Sequence, residues 1–98
     1  MKVYAVTLQR PWDGKEIISI HMTRKGALRV ACLEGLGFLL DIDGFEDSDI
    51  TWIEDNFYNL DKDNNLTIKQ LDGIFKYMEQ LFWGVETEVE ILESTLQP

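Results

Sequence analysis

The chain has 98 residues, 45% hydrophobic, 11% aromatic and 28% charged. That composition belongs to one folded domain spanning 1–98 and excludes a disordered chain. Eighteen acids against nine bases leave a net charge of −9. Such a charge disfavours direct contact with nucleic acid or anionic membranes and favours basic protein surfaces.

Residues 2–9, KVYAVTLQ, are rich in β-branched and aromatic types and predict a strand. Residues 16–22 predict a second, with Ile18, Ile20 and Met22 alternating against Ile17, Ser19 and His21. Pro11 and Asp13-Gly14 between them supply the turn of a hairpin. Thr23 stands as the N-cap of a first helix over 24–34, whose Ala27, Leu28, Ala31 and Cys32 share a face. Gly35 and Gly37 predict its end, and 38–43 reads as a buried loop leading into an acidic turn. Ser48 or Asp49 is the expected cap of a second helix carrying Ile50, Ile53, Phe57 and Leu60. Thr67, with Gln70 three residues on, forms a capping box for a third, which Gly84 terminates. Residues 85–92, VETEVEIL, alternate as a last strand with one packed and one solvated face. The expected class is α+β. Its order is β-β-α-α-α-β, with a small antiparallel sheet covered on one face by helices.

Nothing in the sequence reaches the 18 or so apolar residues of a membrane span. The N-terminus lacks the apolar core of a signal peptide, and a single cysteine, Cys32, fits a reducing compartment. A cytoplasmic setting is expected. Catalysis is not: His21 lies in a predicted strand, Cys32 on an apolar helix face, and no third residue orients them as a dyad would need. No cofactor motif is present either.

The stretch DKDNN, from Asp61, resembles the opening of an EF-hand calcium loop. That resemblance places Asp61, Asp63, Asn65, Thr67 and Asp72 at ligand positions one, three, five, seven and twelve. The second half departs from the family. Leu66 stands where a glycine makes the sharp turn, and Asp72 is a methylene shorter than the usual glutamate. A plain turn of Asp and Asn leading into a Thr cap accounts for the same residues, so a single-site calcium binder is the alternative reading.

The leading reading rests on charge. Between Asp41 and Asp63 stand nine acids and one base, Lys62, and Glu86, Glu88 and Glu90 form a second row on the last strand. Trp52, Phe45 and Tyr58 are interspersed, large aromatics of the kind that anchor interfaces. Asp47, Asp49, Trp52, Glu54 and Asp55, then Glu86, Glu88 and Glu90, are the candidate partner-binding residues. The expected partner is the basic surface of a nucleic-acid-handling protein, bound without direct contact to nucleic acid or membrane. The hairpin followed by MTRKGALRVACLE resembles small accessory proteins of bacteriophages and mobile elements. That resemblance implies a host-directed, non-enzymatic inhibitor acting in the host cytoplasm, of the anti-CRISPR, anti-defence or DNA-mimic kind. Immunity proteins and antitoxins share the same physics.

Overall fold

A computed structural model describes residues 1–10, 14–63, 65–85 and 87–95. Strands β1 (Lys2–Arg10), β2 (Gly14–His21) and β3 (Glu88–Thr95) form one antiparallel sheet in the order β2-β1-β3. Helices α1 (Arg24–Leu40), α2 (Asp47–Lys62) and α3 (Ile68–Phe82) lie on one side of it. This is the expected α+β architecture in the expected order. The slab measures 49 × 34 × 17 Å between Cα atoms, about the thickness of one sheet plus one helix layer.

The core is built outward from α1. Val6 and Leu8 of β1 and Val89 of β3 pack beneath Ala27, Leu28, Ala31 and Cys32. Ile53 and Leu60 of α2 and Leu71, Met78 and Phe82 of α3 pack against the same helix from its other sides. Being covered nearly all round, α1 is apolar nearly all round. The same cause corrects one sequence expectation: α1 does not stop at 34 but continues through Gly35 and Gly37 to Leu40. A Cβ on Gly35 would stand 2.4 Å from Met78 Sδ and 3.3 Å from Phe82 Cε2. That glycine therefore makes room for α3 and does not end α1. Residues 38–40 are helical where a loop was expected, and the left-handed turn falls at Gly44, with φ of 104°.

Two other boundaries move. Helix α2 begins at Asp47 after Glu46, which makes no side-chain capping bond; neither Ser48 nor Asp49 is the cap. Asp47 and Asp49 instead sit in the first turn, where carboxylates meet the positive end of the helix dipole. Strand β3 covers 88–95, not 85–92, because pairing with β1 sets its length: Ile91 opposes Val6, and Glu93, Ser94 and Thr95 oppose Tyr4, Val3 and Lys2. Helix α3 starts as expected, with Thr67 Oγ1 accepting from Gln70 N–H and Gln70 Oε1 accepting from Thr67 N–H.

In β2 the expected alternation is broken. The register slips between Val6 and Thr7, so Ser19 opposes Val6 while Ile17 opposes Thr7, leaving Ile18 as the extra residue of a bulge. Ile18 packs on the core, and Ser19 and His21 also face the helices, His21 Nε2 lying 2.8 Å from Ser19 Oγ. Ile17 and Ile20 are turned together onto the bare side of the sheet. A strictly alternating strand could not place residues three apart on one face.

Candidate protein interface

Helix α2 buries Ile53 and Leu60 against α1, and its 3.6-residue turn dictates what points away. Asp47, Glu54, Asp55 and Asp61 fall within about a third of the helix circumference, opposite those two residues. All four are exposed, and Tyr58, 55% exposed, stands among them. Asp47, Glu54 and Asp61 recur every seventh residue, so their stems are about 10.5 Å apart along one ridge. Asp41, Asp43 and Glu46, leading into the helix, and Asp63, following it, are exposed as well.

Five of the nine bases are engaged elsewhere. The ion pairs are Lys2–Glu93 at 3.0 Å, Lys15–Glu90 at 3.0 Å, Arg24–Asp72 at 3.5 Å and Lys76–Asp72 at 3.1 Å. Arg29 donates to the Leu60 carbonyl, tying α1 to the last turn of α2 where a cation complements the helix dipole. Among the described residues, none of the nine acids between Asp41 and Asp63 has an ion-pair partner. Lys62, in the last turn of α2, is the one base within this stretch, and the ridge keeps a net negative field.

Asp49 and Trp52 are set apart from this ridge. Asp49 is half-buried and its Oδ1 accepts from the Tyr77 hydroxyl at 3.1 Å, a bond that raises the phenol above its ordinary range. The Trp52 ring is half-buried, its centroid 4.3 Å from that of Tyr77. The pair joins α2 to α3 along the ridge's flank. Of the three interspersed aromatics, Tyr58 is the one that the ridge presents, since it falls outside the Ile53, Phe57, Leu60 spacing.

The second acidic row lies on the other side of the molecule. Val89 and Ile91 pack inward, so Glu88 and Glu90 stand on the bare face of the sheet; Glu86 lies outside the described residues. Glu90, bonded to Lys15, is held below its ordinary range. Glu88, beside the Glu90 carboxylate, is held above it. This row is partly neutralised and cannot act together with α2 on one flat partner.

The calcium-loop positions are divided between two helices. Asp61 is in the last turn of α2, and only residues 63–67 connect the helices. Asp63 Oδ1 accepts from Asn65 N–H at 2.8 Å, Thr67 caps α3, and Asp72, on α3, is held below its ordinary range first by Lys76 and then by Arg24. These are the turn, cap and ion-pair duties of an ordinary helix-helix joint.

Cys32 is buried, its Sγ donates to the Leu71 carbonyl at 3.6 Å, and burial pushes the thiol up to about 12. That setting suits packing, since a reactive thiol needs its pKa lowered. Trp83, absent from the sequence-derived candidates, is the most exposed large hydrophobic side chain among the described residues, at 86%. It follows the last core residue of α3, Phe82, and so drops off the apolar stripe, beside Glu79 and Glu88 in a groove of about 290 Å³. No family model, curated protein or solved structure matches this chain.

Proposed function

We propose that this chain is a non-catalytic binding module whose α2 ridge docks on a basic protein surface, that of a nucleic-acid-handling protein, and so inhibits or modulates it. The observation that carries this reading is the absence of any ion pair, among the described residues, for the nine acids from Asp41 to Asp63. Nine bases exist in the chain, and those that form ion pairs do so with other acids. A surface with a net excess of one charge on one helix steers an oppositely charged partner and speeds encounter. Tyr58 supplies a large, rigid contact once the surfaces meet. Along the ridge the carboxylates are about 10.5 Å apart, sparser than the charge per ~1.7 Å of duplex DNA. Occupation of a basic groove by field and shape fits better than literal imitation of a phosphate backbone. The likeness of the N-terminal third to phage and mobile-element accessory proteins agrees with a host-directed inhibitor.

The test is capture from a bacterial lysate on immobilised protein, beside the triple variant Glu54→Lys, Asp55→Lys, Asp61→Lys. All three positions are exposed, so the fold is retained. Wild type should retain nucleic-acid-binding proteins that the variant does not. Equal capture by both would refute the ridge as the docking surface.

A further inference from the structure

The bare side of the sheet carries a row of apolar side chains in register across all three strands: Ile20 opposes Ala5, and Ala5 opposes Leu92. Ile17, Ile20 and Leu92 are 60%, 64% and 44% exposed, and Val3 extends the patch along β1. Thr7, at the centre of the same face, is only 1% exposed because Ile17 and Glu90 flank it, so the surface is continuous and without a hole. The bulge at Ile18 is what turns two isoleucines of β2 outward together. Isolated exposed apolar residues are ordinary, whereas a contiguous patch on one face marks a contact surface.

We infer that this face is the interface of a homodimer, in which two copies stack sheet on sheet to give a four-layer α-β-β-α particle. Charge selects the second copy as the occupant. The only charged side chains that register places on this face, among the described residues, are Lys15, Glu88 and Glu90. Lys15 and Glu90 pair with each other, which leaves the Glu88 carboxylate beside them. On a chain of net charge −9, this face carries one base against two acids and so only a small share of the negative charge. A basic partner finds its attraction on α2, while a like-charged copy meets least repulsion here. Stacked sheets lie ~10 Å apart, and the helix layers that carry the acids lie outside both, beyond the ~8–10 Å screening length of physiological salt.

The size of the face sets the strength. Three strands at ~4.8 Å spacing and eight residues at ~3.3 Å give a footprint of about 14 by 26 Å, about 370 Å² per copy in projection. Side-chain relief adds to this, yet the total stays at the small end of specific interfaces, below ~1,200 Å². The dimer is weak and reversible, and it presents two α2 ridges on its opposite outer faces.

Sedimentation equilibrium on the full chain from low micromolar to near-millimolar concentration tests this, with Ile20→Lys and Leu92→Lys as variants. Both residues are exposed, so each variant should keep the wild-type circular dichroism; Ile17→Lys on the same face serves if either does not. Wild type should rise from the 11.4 kDa chain mass towards twice that value. Each lysine should weaken association by ~100-fold or more, because it buries an unpaired ammonium. A wild type that stays at chain mass throughout overturns the inference. So does a dimer that survives both substitutions. Loss with one substitution alone also overturns it, because β2 and β3 are opposite edges and pairing through a single edge would feel only one of them.

Discussion

Two glycines with the same helical backbone have opposite meanings in this fold. A Cβ on Gly35 would stand 2.4 Å from the buried Met78 Sδ, closer than a Cβ tolerates, whereas a Cβ on Gly73, exposed in α3, would meet nothing within 4 Å. Gly73→Ala should raise stability by ~0.5–1 kcal/mol, the helix-propensity difference. Gly35→Ala should lower it by ~1 kcal/mol or more, since overpacking a close contact costs more than propensity returns. Thermal melts would show shifts of opposite sign, of ~4–8 °C per kcal/mol for a chain this size; two upward shifts would contradict the packing role of Gly35. Asp61 is a second residue whose placement is informative. It stands in the last turn of α2, where an anion opposes the helix dipole. Among the described residues it forms no ion pair that would offset this cost. Asp61→Lys should therefore stabilise the chain by ~0.3–1 kcal/mol while weakening partner capture. A destabilised variant would show that Asp61 serves the fold.

Helix termini and strand partners explain which elements sequence reading locates well. The capping box of α3 is local, and its start was legible because the Thr67 and Gln70 side chains each accept from the other's backbone N–H without help from the rest of the chain. Thr67→Ala should cost ~1 kcal/mol, read as a lower denaturant midpoint at unchanged slope. The end of α1 was not legible, because the contact that keeps Gly35 inside a helix comes from Met78, forty-three positions later. The limits of β3 and the bulge of β2 were hidden for the same reason: both are set by β1, and pattern within a strand does not report its partner's register. Between α1 and α3 the Arg24–Asp72–Lys76 cluster is a further long-range tie. Asp72 is held below its ordinary 3.8, so its contribution is present above that pH and is lost as pH falls through the lowered folded-state value. Asp72→Asn should melt below wild type at pH 7, and the gap should close on acidification, vanishing once the carboxyl is protonated in both states. A gap constant with pH would assign the loss to packing.

At the scale of the molecule, charge and hydrophobicity are separated onto two sides. The acids leading into, along and just beyond α2 occupy the helical side, and the bare sheet carries the apolar face with its few charges. Composition announced the acidity, and helical periodicity was enough to align Asp47, Glu54, Asp55 and Asp61, so the ridge was legible in outline. Its separation from Glu88 and Glu90 was not, since only the topology shows that α2 and the outward face of β3 look in opposite directions. Nor was the inward turn of Asp49 and Trp52, which depends on Tyr77 of another helix. The central claim is that the α2 ridge binds through its net negative field. Its most direct test is the dependence of affinity on salt for a captured partner, measured for wild type and for Glu54→Lys, Asp55→Lys, Asp61→Lys. Wild-type affinity should fall ~10-fold or more between 50 and 200 mM salt, while the variant, carrying −3 in place of −9, should bind weakly with a flatter dependence. Wild-type affinity that does not change with salt, or a variant that binds as tightly, would contradict it.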